Sequence, residues 1–404
     1  MSLSKRKNAT QPKSKKPITK VASSQGTAPA SIRSNAHLLN EYPSADWFKK
    51  FRKAILKWYE SNQRRLPWRD DPIPYKVWLS EIMLQQTQVA TVVDYFNRFI
   101  NKFPTIIELA NADEQTVLSM WEGLGYYRRA RNLHAAAQKV RDDFGGIFPD
   151  DFESVLSLPG VGRYSAGAIL SIAGDQKLPI LEGNTYRLHA RLLALHDDPR
   201  SRGSESLLWQ FAEDLLPTKK CGAFNQSLME LGSEICKPKK PLCQCCPVIK
   251  NCAANQLDMA DKLPIKSKRR KFVRRHDALF FIENRGQVWV RQRKQGEWWA
   301  GLWDFARFNV SEVAETAEKS PPNERLQNHL EAELGIQLKS HPKILMTINH
   351  AVTHHKIRLD CYWIKAKFPD AGKQGFKQVT RNELSELPLN VTARKLLSMI
   401  EKSC

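Results

Sequence analysis

At 404 residues the chain is too long for one ordinary domain and long enough for two, each able to bury its own core. Its 63 Lys and Arg against 42 Asp and Glu give a net charge of +21 and a pI of about 9.6, which suits a polyanionic partner such as nucleic acid. No apolar run approaches the roughly 18 residues of a spanning helix, and the N-terminus lacks the apolar core of a secretory signal, so a soluble intracellular protein with no membrane partner is expected.

Residues 1–44 are rich in Ser, Ala, Pro and Lys, carry Lys5, Arg6, Lys7, Lys13, Lys15, Lys16, Lys20 and Arg33, and hold no acid before Glu41. A disordered basic arm is expected there, either a phosphate-seeking tail or a solvated extension. Residues 45–260 read as helical. Trp47, Phe48, Phe51, Ile55, Leu56, Trp58 and Tyr59 follow the three-to-four spacing of an amphipathic stripe, and Val92, Tyr95, Phe96 and Phe99 repeat it. Pro67, Pro104, Gly145-Gly146, Pro159-Gly160-Val161-Gly162 and Pro217 punctuate the region, as short helices joined by tight turns require.

Residues 261–275 form a basic linker containing Lys262, Lys266, Lys268, Arg269, Arg270, Lys271, Arg274 and Arg275, and a domain boundary belongs there. In 276–404 the runs Ala278–Ile282, Val288–Val290, Ile344–Met346 and Ile357–Trp363 read as strands, with a helix around Glu324 to Leu334. The expected fold class is therefore multi-domain, an all-α domain followed by an α+β domain.

Two motifs carry chemistry. Of eight cysteines, Cys236, Cys243, Cys246 and Cys252 fall in one short loop with spacings of six, two and five residues, a thiolate quartet that suits either an iron–sulfur cluster or zinc; Cys245 is a spectator. The second is Leu158-Pro159-Gly160-Val161-Gly162-Arg163-Tyr164 before the small-residue segment Ser165 to Ile169. Backbone N–H groups of such a glycine turn at a helix N-terminus can seat a phosphate, although a plain inter-helix turn would read alike.

The hairpin and the cysteine loop, about 75 residues apart and in that order, resemble the helix-hairpin-helix motif and cluster loop of the endonuclease III superfamily of DNA glycosylases. Within it the chain is most similar to the adenine-excising branch called MutY, through Leu66-Pro67-Trp68-Arg69, Tyr75 to Val89, Trp121 to Tyr127, Ala130-Arg131-Asn132-Leu133-His134 and Phe224-Asn225-Gln226. The resemblance implies that the loop holds a 4Fe-4S cluster on Cys236, Cys243, Cys246 and Cys252, and that Gly160, Val161 and Gly162 meet DNA phosphate.

It further implies that Glu81 is the general acid protonating adenine at N7, with its pKa raised by an apolar pocket that includes Trp78, Leu79 and Leu84. Tyr164 stands where lyase-type relatives carry an amine, so base release without strand cleavage is implied, with Tyr164 either hydrogen-bonded to a second carboxylate, as in that branch, or packed against the hairpin. That carboxylate, Asp in the family, is Glu182 here, within Leu181-Glu182-Gly183-Asn184. The extra methylene moves it by about 1.5 Å, a misplacement that can cost on the order of a hundredfold in rate. A weak or inactive mismatch-binding homolog is thus the alternative, while Asn184 keeps its assisting position.

Trp68, Arg69 and Glu230 are implied around the flipped adenine, and Gln86 and Tyr126 as groups that probe or wedge the duplex. Trp299 to Phe305 and Glu331 to Gly335 resemble a degraded Nudix-like module that reads 8-oxoguanine, with Thr353 and His354 in its recognition loop and Val352 replacing the family's Phe. The implied partner is double-stranded DNA with an A:8-oxoguanine or A:G mispair, met by a monomer in the cytoplasm of a bacterium or the nucleus of a eukaryote.

Overall fold

The computed structural model describes residues 42–265, 272–310, 322–336, 338, 342–368 and 375–403, all within one compact unit, His37–Cys404. Most of the arm read over 1–44 and the middle of the basic linker, 266–271, lie outside the described residues. The arm's last residues belong to the helical half, for Tyr42 donates to Asp214 at 2.7 Å.

Helix α1, Ala45–Asn62, starts where the Ser44 hydroxyl accepts from Trp47 N and buries Phe48, Phe51, Ile55 and Tyr59, the stripe expected from the sequence. After α2, Pro67–Asp70, comes α3, Pro74–Leu84, which opens on Pro74 at its first turn. Every residue of α3 from Val77 to Met83 is buried, so a carboxylate at position 81 leaves water simply by lying on this helix.

The next helices are α4, Val89–Lys102, α5, Ile106–Asn111, α6, Glu114–Met120, and α7, Arg128–Phe144. A short α8, Phe152–Leu156, leads through the glycine turn into α9, Arg163–Gly174, which packs against α3. The Leu158–Gly162 turn closes on a bond from Val161 N to Leu158 O, 3.1 Å, with Gly160 at φ +78° in the left-handed region that glycine enters without penalty. A Cβ on Gly167 would stand 2.6 Å from Pro179 O, so the small residues of α9 let it approach the chain that leads to Glu182. Helices α10, Gly183–Leu192, α11, Arg202–Leu215, α12, Cys221–Glu234, and α13, Ala253–Gln256, complete this half. No helix among the described residues is long and apolar enough to cross a membrane.

The second half is a mixed sheet. Strand β1, Val273–Asn284, runs parallel to β6, His355–Lys365, along its length and antiparallel to β2, Gln287–Gln292, and β4, Ala306–Asn309. β2 also pairs with β3, Trp303–Asp304, and β7, Phe376–Thr380, while β6 pairs with β5, Ile344–Val352. Alternate β1 residues separate into two cores: Ala278, Phe280 and Ile282 face α14, Pro322–Leu334, and Leu279 and Phe281 face α16, Val391–Ser403. Helix α15, Arg381–Glu386, follows β7. The basic stretch read as linker to residue 275 ends inside the sheet, because Val273, Arg274 and Arg275 pair with His355, Lys356 and Ile357.

The two halves meet through the Trp299 to Phe305 segment. Leu302 belongs to the helical core, Trp303 Nε1 donates to Gln115 Oε1 at 3.0 Å, and Arg131 donates to Ala300 O.

Candidate active site

A cleft of about 590 Å³, in the range of small-molecule pockets, opens between α2, α3, α9, α10 and α12. It is lined by Trp68, Arg69, Glu81, Gln86, Tyr164, Glu182, Asn184 and Glu230, eight of the residues singled out in the sequence.

Glu81 is buried at its centre, and the Tyr164 hydroxyl donates to Glu81 Oε2 at 2.7 Å while lying 3.3 Å from Met229 Sδ. Burial raises Glu81 from 4.5 to about 7, helped by the nearby Glu182 charge and opposed by the Tyr164 hydrogen bond and Arg69. A carboxyl placed there is a proton donor near neutral pH.

The phenol was expected on the second carboxylate, and the geometry corrects this. Glu182 turns back onto its own helix: as the N-cap of α10, its Oε1 accepts from Asn184 N at 2.8 Å and Thr185 N at 3.1 Å, while its own N–H donates to Thr185 Oγ1. A shorter Asp would make cap bonds of the same kind, so the extra methylene is absorbed in the curl of the side chain. Burial raises Glu182 against these bonds, which favour its charged form. Asn184 Oδ1 accepts from Arg187 Nη2 at 3.0 Å.

Glu230 is buried with both oxygens engaged. Arg64 donates through N and Nε to Oε1 and through Nη2 to Oε2, and Arg69 Nη2 reaches Oε2 at 2.9 Å. Burial alone would raise Glu230, yet the two guanidiniums outweigh it and hold the carboxyl at about 2. Glu230 therefore orients Arg64 and Arg69 at the cleft wall. Arg64 was not anticipated, although it directly precedes Arg65 and the Leu66-Pro67-Trp68-Arg69 motif.

Gln86 and Tyr126 both sit at positive φ, +58° and +49°, in separate loops. Tyr126 is 59% exposed and is not among the cleft-lining residues. What joins the loops is Arg129, which no motif of the sequence marks. Its buried guanidinium donates to Ile82, Met83 and Gln85 carbonyls and to Thr87 Oγ1 on one side, and to Leu124 and Gly125 carbonyls on the other.

Thr353 and His354 form the two-residue turn between β5 and β6, both exposed, with Thr353 at φ +53°. A β-branched residue in that region is strained. In the glycine turn, the Val161 amide closes the turn itself, which leaves the phosphate role assigned to it without its donor.

The four cysteines share a cavity of their own, walled by Leu188, Leu192, Ile235, Val248 and Ile249, with Cys245 exposed and outside it. Among the described residues no three His, Cys, Asp or Glu side chains are close enough to grip one ion. A cuboidal cluster takes one thiolate at each corner around a cavity, and these four cysteines line one. Burial lifts Cys246 to about 12 and Cys252 to about 11, so these thiolates are tolerable there only against a cationic partner. Arg191 Nη1 donates to Cys236 Sγ at 3.2 Å and to Lys237 O at 2.8 Å. The donor set fits an iron–sulfur cluster.

Residues 79–214 match the family model described as HhH-GPD superfamily base excision DNA repair protein, and residues 278–399 match the NUDIX domain model. The chain is 38% identical over 261 residues to the adenine DNA glycosylase of Buchnera aphidicola subsp. Schizaphis graminum, covering 64% of this chain and 75% of that one. The chain belongs to the adenine DNA glycosylase family.

Over greater length, it is 30% identical to the adenine DNA glycosylase of Buchnera aphidicola subsp. Baizongia pistaciae, covering 87% of this chain and 97% of that one. The adenine DNA glycosylase of Rattus norvegicus is 46% identical over 215 residues, 51% of this chain and 42% of that one. Membership in the adenine DNA glycosylase family makes the chain a base-excision enzyme with DNA as partner, a hydrolase of the N-glycosyl bond, built from a helix-hairpin-helix half and a Nudix-like half.

Proposed function

We propose that this adenine DNA glycosylase, acting as a monomer, removes adenine mispaired with 8-oxoguanine or guanine by hydrolysis, without cutting the strand. The observation that carries the reading is the buried, neutral-range Glu81 in one cleft with Glu182. Glu81 gives its proton to N7 of the flipped adenine, the C1′–N9 bond breaks, and the base leaves neutral. Positive charge developing on the sugar faces the Glu182 carboxylate, which α10 holds in place without reorganisation. Water adds to C1′, and its proton returns to Glu81. Tyr164 offers a hydroxyl where a Schiff base would need an amine, so the abasic strand stays whole.

Extruding the base costs a few kcal/mol, which Trp68, Arg69 and Gln86 offset along the cleft while Tyr126 enters the gap in the stack. Gly160, Gly162 and the first turn of α9 seat a phosphate. Cys236, Cys243, Cys246 and Cys252 hold a 4Fe-4S cluster, which when bound supplies a cross-link fixing the loop to α10 through Arg191. Thr353 and His354 meet the base opposite the adenine.

The opposite-base assignment is tested by comparing adenine release from A:8-oxoguanine and A:G duplexes. His354→Ala is expected to lower the 8-oxoguanine advantage about tenfold, the value of one hydrogen bond near 1.4 kcal/mol, with A:G release nearly unchanged. Equal losses on both duplexes would remove His354 from that role.

A further inference from the structure

We propose that Glu122 and Arg394 form a positioning pair through which the Nudix-like half sets the loop that carries Tyr126. This rests on the reading of Tyr126 as the wedge and of the β5–β6 turn as the reader of the opposite base.

The loop between α6 and α7 is shaped from within. Gly123, Gly125 and Tyr126 have φ of +97°, +71° and +49°, and a Cβ at Gly123 would collide with the Tyr95 hydroxyl. Tyr95 OH donates to Glu122 O at 2.6 Å, Gly123 N donates to Tyr127 OH at 3.2 Å, and Trp121 Nε1 donates to Gly125 O. Its backbone groups are thereby engaged by the helical half.

The Glu122 side chain points the other way, to the Nudix-like half. Arg394 on α16 meets it as a fork, Nε to Oε1 at 2.6 Å and Nη2 to Oε2 at 2.9 Å, and is itself located by Nη2 on Leu387 O at 2.9 Å. A two-point guanidinium–carboxylate bond fixes orientation as well as distance. Helix α16 buries Leu396, Leu397 and Ile400 against the sheet whose β5 and β6 strands end in the Thr353-His354 turn. A continuous packed sheet and helix thus link the turn to Arg394, and Arg394 grips the residue four before Tyr126.

The side chains are 22% and 30% exposed, so solvent screens the pair and its contribution to stability is modest. Its effect lies in where it holds the loop when the Nudix-like half engages its base. Breaking it should therefore alter discrimination between opposite bases while leaving the fold intact.

The test is a double-mutant cycle in the full chain with Glu122→Gln, Arg394→Gln and both together. It reads single-turnover adenine release on A:8-oxoguanine and A:G duplexes, and the melting temperature. Each single variant is expected to narrow the ratio of the two rates by roughly 5- to 30-fold, with Glu122→Gln adding nothing once Arg394 is Gln, and with melting barely moved. Additive losses, or ratios that stay at the native value in all three variants, would overturn the coupling while leaving the proposed function standing. A native chain with no preference between the duplexes would remove the opposite-base reading itself, and the coupling with it.

Discussion

Glu81→Gln is expected to lower single-turnover adenine release by about 10²- to 10⁴-fold, the range for removing a positioned general acid, while duplex binding survives. Gln keeps the volume of the buried side chain and can still accept from Tyr164, so what is lost is the proton. In the native enzyme the rate is expected to fall as pH rises through about 7, where Glu81 ionises, and to fall again on the acid side as the Glu182 carboxylate takes up a proton. Tyr164→Phe removes a hydrogen bond that favours the ionised form, so it should move that descending limb to higher pH. The folded chain binds this proton more tightly than the unfolded one, so native stability declines between about 4.5 and about 7. Above pH 7, Glu81→Gln should be the more stable protein by about 3 kcal/mol in urea unfolding. A variant of native rate, or a rate still flat well above pH 7, would take the acid role away from Glu81.

Arg129→Met should be the most damaging substitution outside the cleft. It deletes a buried cation, held near 10 by burial and so charged at neutral pH, together with bonds to five carbonyls and one hydroxyl. Leaving those acceptors without a donor is expected to cost about 3 kcal/mol of unfolding free energy. With the Gln86 and Tyr126 loops uncoupled, adenine release should fall even at temperatures where the variant is fully folded. Arg129→Lys keeps the charge and cannot span both loops, so it should not restore the rate. A Met variant of native stability would show that Arg129 is merely accommodated.

What could be read from the sequence was local. The α1 stripe is a periodicity within one helix, the cysteine spacings lie within one loop, and Glu81 is buried by the apolar helix on which it lies. What escaped depends on partners far along the chain. Arg64 meets Glu230 across 166 residues, and Arg394 meets Glu122 across 272. The start of β1 was hidden among basic residues because pairing with β6, not composition, makes it a strand. The carboxylate that Tyr164 meets is likewise not legible in the motif. Which one it meets is decided by the α10 amides that draw Glu182 away, leaving Glu81 as its acceptor.

The most direct test of the account is single-turnover reaction of the native chain with a duplex holding one A:8-oxoguanine pair, scored for free adenine and for strand breaks before and after alkali. Glu182→Asp serves as the comparison. The native chain should release adenine, with breaks only after alkali, and Glu182→Asp should react at a rate of the same order, since either carboxylate caps α10. Tight binding without release, with activity appearing only in Glu182→Asp, would contradict it and leave a protein that recognises the mispair without excising the base.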